Sequence, residues 1–156
     1  MVEIPLTQGY VALVDDADAP RVLAAGSWWS HKGVHRRYAR GSVGGKATLM
    51  HRLVLDAPQG VGVDHINGNG LDNRRENLRF CDHSLNAANM RKRAPHSSRF
   101  KGVSWHSKAG KWEAYIKREG RKTYLGCYVT EAEAARVYDA AAREYFGEFA
   151  RPNFPA

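Results

Sequence analysis

Val63-Asp64-His65-Ile66-Asn67-Gly68-Asn69-Gly70, continued by Glu76-Asn77-Leu78-Arg79-Phe80-Cys81 and by Ser84-Leu85-Asn86, is the stretch on which the reading of this chain turns. Gly62 to Ile66 has the apolar, β-branched character of a strand. Asn67-Gly68-Asn69-Gly70 is turn chemistry, because Gly and Asn tolerate the left-handed backbone that tight turns require. Leu78 to Cys81 makes a second short strand, and Asp82 or Ser84 can cap a helix running through Leu85, Ala88 and Met90 to Arg93. The order is strand, loop, strand, helix. It places His65 at the end of the first strand and Asn86 in the first turn of the helix packed against it. Asn67, Asn69, Asp72 and Asn73 read as loop formers, and His83 as a helix-start residue ahead of a substitute metal ligand.

The residue types in this frame suit one kind of chemistry. Phosphodiester hydrolysis needs an activated water, charge stabilisation at the transition state and help for the leaving oxygen. Asp64 offers a hard anionic oxygen and Asn86 a neutral amide oxygen, a donor set for Mg²⁺ or Mn²⁺ that leaves positions open for water and phosphate. His65, with an ordinary pKa near ~6.5, can take a proton from water around neutrality. As the neighbour of Asp64 on a strand, it points the other way unless the backbone bends. Asn77 can hydrogen-bond across the loop and fix either the imidazole or the hairpin. A lone Asp-His pair reads as structural; the joint spacing with two amides reads as a nuclease site.

Asp64-His65, Asn77-Leu78 and Asn86 closely resemble the HNH nuclease family, in particular its phage and intron-encoded homing branch. The resemblance implies a ββα-metal fold, one divalent metal held by Asp64 and Asn86 (Mg²⁺ ahead of Mn²⁺), His65 as the base and Asn77 as a catalytic orienting residue. The final position is often His in the wider family, and Asn86 is the variant of the homing branch. His51-Arg52-Leu53-Val54 also resembles that branch just upstream, which makes His51 and Arg52 candidate phosphate contacts.

Beyond Asn86, the basic run Arg91-Lys92-Arg93 can track phosphates, and Ala94 to Ser98 forms a linker stopped by Pro95. Strands follow over Gly102 to His106, Lys111 to Arg118 and Lys122 to Tyr128, with turns at Ala109-Gly110 and Glu119-Gly120. Thr130 with Glu133 makes a capping box, and Ala134, Ala135, Tyr138, Ala141, Ala142 and Tyr145 form an apolar helical stripe. Phe100-Lys101-Gly102-Val103, Gly110-Lys111-Trp112, Tyr124-Leu125-Gly126 and the helix ending in Asn153-Phe154-Pro155 resemble the AP2 DNA-binding domain over nearly all of residues 98–155. That resemblance implies a three-stranded sheet whose open face enters the DNA major groove. By position in the family pattern, Lys101, Ser104, His106, Tyr115, Lys117, Lys122 and Tyr124 form the DNA-binding face, and Trp112 belongs to the core. Plant members carry Arg where Ser104 and His106 stand, so no target sequence is inferred.

Upstream of the motif, β-like runs at Tyr10 to Val14, Trp28 to Ser30, Arg37 to Arg40 and Ala47 to Val54 alternate with Gly, Asp and Pro clusters. They read as a small antiparallel sheet, with Trp28 and Trp29 split between core and outer faces. Its chemistry is not legible. The net charge of +8 points to a polyanionic partner, and the excess is divided evenly between residues 1–95 and 96–156. Two distant cysteines, Cys81 and Cys127, make neither a disulfide framework nor a structural zinc site and read as reduced thiols. No apolar run approaches the ~18 residues of a membrane span. The start Met-Val-Glu-Ile-Pro lacks the pattern of a secretory signal.

The expectation is an α+β chain. A small N-terminal antiparallel sheet (1–56) leads into a ββα-metal unit (57–93), together a nuclease domain over 1–93. A linker (94–98) then joins an AP2-like three-stranded antiparallel sheet packed on one helix (99–156). The expected activity is metal-dependent cleavage of double-stranded DNA, nicking one strand, by a monomer or weak dimer with no membrane attachment and no obligate protein partner. The expected setting is the cytoplasm of a bacterial host, with a phage or mobile-element gene. The alternatives are a non-catalytic DNA-binding regulator on a degenerate HNH scaffold and an RNA-binding protein.

Overall fold

A computed structural model describes residues 1–33, 36–90 and 97–155. The chain divides into two compact units, Met1–Asp82 and His83–Ala156. Among the described residues no helix is long and apolar enough to cross a membrane.

In the first unit, β1 (Val2–Pro5) pairs antiparallel with β2 (Val11–Val14), Val2 opposite Val14. Alternation sends Ile4, Ala12 and Val14 into the core. β1 has no counterpart in the sequence reading. Neither has α1 (Ala19–Ala24), which grows out of the Asp-Ala-Pro cluster read as a turn, with Pro near its N-terminus. β3 (Trp28–Lys32), β4 (Arg37–Val43) and β5 (Lys46–Leu49) form a second sheet in that order. Trp28 is buried and its indole N–H donates to the Val22 carbonyl at 2.8 Å, whereas Trp29 is half-buried, the expected split.

The run Ala47 to Val54, expected to be one strand, breaks after Leu49 into α2 (Met50–Val54). Met50 and Val54 are one helical turn apart and both wholly buried, so a helix serves the core where a strand would send alternate residues outward. β6 (Gly62–His65) then pairs antiparallel with β7 (Leu78–Cys81), with Asp64 opposite Arg79 and His65 opposite Leu78. Leu78 joins Ile4, Val14, Val22, Trp28, Met50 and Val54 in one core. The loop between these strands is seated on β2: Leu13 N–H donates to Leu71 O, and Asn73 N–H to Leu13 O, both at 2.8 Å.

The second unit begins with α3 (His83–Asn89), whose Leu85 and Ala88 pack with Ile116, Tyr138, Ala142 and Phe146. β8 (Val103–His106), β9 (Lys111–Arg118) and β10 (Arg121–Tyr128) form an antiparallel meander, with a register shift between Tyr124 and Gly126. α4 (Glu131–Phe146) lies against it and starts with the full Thr130–Glu133 capping box. Ala134, Ala135, Tyr138 and Ala142 form its buried stripe as expected; Tyr145 is 37% exposed, and the stripe ends in Phe146 at 6% instead. Gly102, at φ 75°, lies so close to the Tyr138 ring and the Tyr115 carbonyl that a Cβ has no room. Buried Asp139 accepts from Asn153 N–H at 2.7 Å and Phe154 N–H at 2.9 Å, while Asn153 Oδ1 accepts from Lys101 N–H at 2.6 Å. That chain of bonds ties the C-terminal segment to the start of the meander.

Candidate functional site

Asp64 and His65 end β6, and both are almost wholly buried, at 1% and 2% exposure. They meet different neighbours, as strand alternation requires. Asp64 Oδ2 accepts from Arg79 across the hairpin at 3.0 Å, and Oδ1 lies 4.0 Å from Arg36 just before β4. The His65 ring lies among Tyr38 (centroids 5.9 Å apart), His51 (4.9 Å, edge-on) and Asn73, whose Oδ1 is 3.4 Å from Nε2. Burial pushes the His65 pKa below its ordinary value, against the pull of Asn73 and Asp64. The imidazole is therefore neutral around neutral pH, with one ring nitrogen carrying a lone pair.

The loop that carries Asn73 is held by side chains. Asn77 Oδ1 accepts from Asn67 N–H at 2.9 Å, and Asn77 Nδ2 donates to Asp72 O at 2.7 Å. Of the two roles left open for Asn77, these bonds serve the loop. Asn67 Nδ2 donates to Asp72, whose carboxylate is also gripped by Arg74 at 2.8 Å. Asn73 is more than a loop former. It is wholly buried, its Nδ2 donates to Leu71 O at 3.1 Å, and its Oδ1 is thereby turned to His65.

The two upstream candidates part company. His51 is 5% exposed, lies against His65 rather than at the surface, and its Nδ1 has no hydrogen-bond partner among the described residues. Burial, with smaller contributions from His65 and Arg52, drives its pKa down to about 3, so it is uncharged where a phosphate would meet it. Arg52 donates to the carbonyls of Val61 and Pro58, each at 2.6 Å, and of Ala57 at 3.2 Å. Its guanidinium staples the segment between α2 and β6.

Asn86 stands on α3 in the second compact unit, and α3 starts at His83 as expected. Arg91, Lys92 and Arg93 lie outside the described residues. Among the described residues, no three His, Cys, Asp or Glu side chains gather into a metal cluster.

In the meander, register puts Ser104 opposite Glu113, Tyr115 opposite Tyr124 and Lys117 opposite Lys122. Ala114 and Ile116, the alternate residues of β9, are buried under α4, so Ser104, His106, Tyr115, Lys117, Lys122 and Tyr124 share the open face. Lys122 Nζ sits 3.6 Å over the Tyr115 ring, which lies tilted against the half-exposed Tyr124 with centroids 5.2 Å apart. Glu113, 3.5 Å from His106 Nε2, also lies on this face and was not expected there. Trp112 packs into the core as expected. Lys101 departs from the expected set: its ammonium donates to the carbonyls of Ala87, Ala88 and Met90 at the end of α3. Burial, with help from Arg151, lowers its pKa to about 8. A cation at a helix C-terminus satisfies carbonyls that have no partner in the helix.

Sequence reasoning missed Asn73, Arg79 and Arg36. Arg79 was readable from the hairpin register, once Asp64 and Arg79 are seen to be directly opposite. Asn73 and Arg36 reach the site through loop and sheet packing, for which no local signal exists.

The family description that matches this chain is HNH endonuclease, over residues 50–88, a span containing α2, the hairpin and all of α3 but its last residue. An uncharacterised HNH endonuclease of Acanthamoeba polyphaga mimivirus is 36% identical over 107 residues, covering 67% of this chain and 54% of that protein. Protein 3.8 of Escherichia phage T7 is 32% identical over 111 residues, covering 68% of this chain and 91% of that protein. An AP2-like ethylene-responsive transcription factor of Arabidopsis thaliana is 41% identical over 69 residues, 38% of this chain and 14% of that protein. The match thus spans about half of the mimivirus protein, a small part of the plant factor and most of the T7 protein.

Proposed function

The chain belongs to the HNH endonuclease family, and from that premise we propose that it is a divalent-metal-dependent endonuclease that cuts one strand of duplex DNA per site. The observation that carries the reading is the His65 imidazole, buried and neutral beside Asp64 with its Nε2 turned to the Asn73 amide oxygen. Asn73 Nδ2 is already used on Leu71 O, so the atom facing His65 is an acceptor. That bond favours the tautomer with its proton on Nε2 and leaves Nδ1 with the lone pair. In the proposed reaction Nδ1 takes the proton of the attacking water. Tyr38 and His51 hold the ring from two other sides, and Asn77 keeps the loop closed behind it.

Asp64 and Asn86 are the residues assigned to the cation, Mg²⁺ ahead of Mn²⁺. A buried carboxylate and an amide oxygen are hard donors, and few protein ligands leave room for phosphate and water, which fits a hard divalent ion. When bound, such an ion neutralises charge building on the phosphate and the leaving oxygen. Arg79 and Arg36, already beside Asp64, bring guanidinium donors of the kind that bind phosphate. The open face of the meander supplies duplex binding through Lys117, Lys122, Tyr115, Tyr124, Ser104 and His106. One site makes a nick; a double-strand break needs a dimer or two successive nicks. The mimivirus and T7 relatives favour a phage or mobile-element source.

One observation favours a second reading, DNA binding without cleavage: Arg79 occupies the Asp64 carboxylate that the cation needs. A plasmid-nicking assay with Mg²⁺, run on wild type and His65→Ala, separates the two. Metal-dependent nicking lost in the variant is expected. No nicking by wild type, or equal nicking by both, leaves the binding protein as the answer.

A further inference from the structure

Of the outer face of the β3–β4–β5 sheet, the chemistry above uses only Tyr38, which holds the His65 ring. Trp28, Ala39 and Gly41 line its core side, so alternation places Trp29, His31, Tyr38, Arg40 and Leu49 together on the other. Register aligns them in two rows, Trp29–Arg40–Leu49 and His31–Tyr38. A cleft of about 370 Å³ opens there, lined by His31, Tyr38, Arg40, Thr48 and Arg52 among others, with no carboxylate among its described lining residues.

Arg40 is the unusual member. In this unit Arg21, Arg36, Arg37, Arg52, Arg74, Arg75 and Arg79 all have their guanidinium on a carboxylate, a carbonyl, a hydroxyl or an amide oxygen. Arg40 makes no hydrogen bond or ion pair through its guanidinium among the described residues, although it is half-buried in the cleft wall. A half-desolvated cation without an anion gains by meeting one. The cleft also has a direction: Tyr38 lines it and reaches the His65 ring at 5.9 Å.

We propose that this cleft binds the phosphodiester backbone of the DNA strand next to the cut. Arg40 clamps a phosphate, while His31 offers a further polar contact to phosphate or sugar. Trp29 lies beside Arg40 as a flat apolar surface. The proposal rests on the nuclease reading of His65, because it names where the substrate strand lies relative to that site. The N-terminal sheet thereby becomes a second DNA-binding element, independent of the meander.

The test is the salt dependence of binding by the full chain to a fluorescein-labelled duplex in metal-free buffer, where no cleavage intervenes. Each phosphate contact contributes about 0.9 to the slope of log K against log salt concentration. Arg40→Gln is expected to make the slope shallower by about that amount, and Arg40→Lys to restore it. Arg136→Gln removes the same charge from the exposed side of α4 and is expected to leave the slope at its wild-type value. An unchanged slope in Arg40→Gln overturns the inference while the nuclease reading stands. So does a loss that Arg40→Lys fails to recover, since the loss then comes from a damaged sheet rather than from charge. A wild-type chain that binds no duplex overturns both.

Discussion

Asn73 Oδ1 lies 3.4 Å from Nε2 of His65, and neither side chain is more than 2% exposed. The amide cannot turn over without losing its bond to Leu71 O, so the acceptor stays on the histidine side. The histidine is thus oriented by a loop residue eight positions further on, and the loop is in turn seated on β2 through Leu13.

Asn73→Ala removes that orientation. Single-turnover nicking is expected to fall about 100-fold, the scale of a misplaced catalytic group, with His65→Ala falling at least as far. Urea unfolding is expected to show a stability loss of about 1–3 kcal/mol from the vacated buried bonds. Full nicking activity in a folded Asn73→Ala chain counts against the assigned tautomer.

Acid is expected to destabilise the first unit earlier than its carboxylates require. Folding depresses the pKa of His51 to about 3 and that of His65 below its ordinary value of 6.5. Above pH 6.5 both are neutral in either state and cost nothing. As pH falls below 6.5, the unfolded chain binds protons that the folded chain refuses, so stability drops by up to ~1.4 kcal/mol per pH unit through His51, and His65 acts in the same direction. Urea midpoints at neutral pH and near pH 5 measure this. His51→Gln is expected to flatten the dependence by about one proton.

Chelation is expected to abolish nicking and spare binding. With EDTA the gel-shift affinity for duplex DNA is expected to stay within about two-fold, because the phosphate contacts proposed for Lys117 and Lys122 need no metal. Asp64→Asn is expected to reproduce the loss of nicking at any Mg²⁺ concentration. Cleavage by that variant at the wild-type rate removes Asp64 from the proposed metal site.

Two lysines of the C-terminal unit are expected to behave differently. Lys122→Ala, on the open face over Tyr115, reduces the salt slope of DNA binding by about one. Lys101→Ala leaves the slope unchanged and lowers the melting temperature, because its ammonium is spent on the last carbonyls of α3. A salt-slope change in Lys101→Ala would return that residue to the DNA-binding set.

Asp139→Ala is expected to destabilise the C-terminal unit by about 3 kcal/mol, since it strands the N–H groups of Asn153 and Phe154. Tryptophan fluorescence of Trp105 and Trp112 during urea unfolding follows it. The chemistry proposed for His65 makes no use of this carboxylate, so the loss is expected first in stability and DNA affinity.

The parts of this molecule that were readable beforehand are those built from neighbouring residues. The β6–β7 hairpin follows from Asn-Gly turn chemistry, and α4 from the Thr130–Glu133 box with an alanine stripe at helical spacing. The open face of the meander, Lys101 excepted, follows from alternation together with the AP2 pattern. The break at Leu49 was not readable, because Ala47 to Val54 has a composition that serves a strand or a buried helix equally well, and only the core chose. β1 and α1 were missed for the same reason: each is too short to carry a period of its own and exists by packing on a partner.

By itself the sequence determined which chemistry is present: an Asp-His pair on a strand, two amides at family spacing, a basic chain and a meander with a capped helix. Those are local patterns, set by backbone preference and side-chain periodicity. Only the tertiary structure decided which donors and acceptors are already taken. Arg52 and Lys101, both read as candidate DNA contacts, are bound to backbone carbonyls, while Arg40, read as part of an illegible strand, keeps its guanidinium available. His51, read as a phosphate contact, is buried against the histidine it supports, and Asn73, read as turn filler, orients it. A charged or amide side chain states what it can bond to; what it does bond to is settled by the partners that folding brings within about 3 Å.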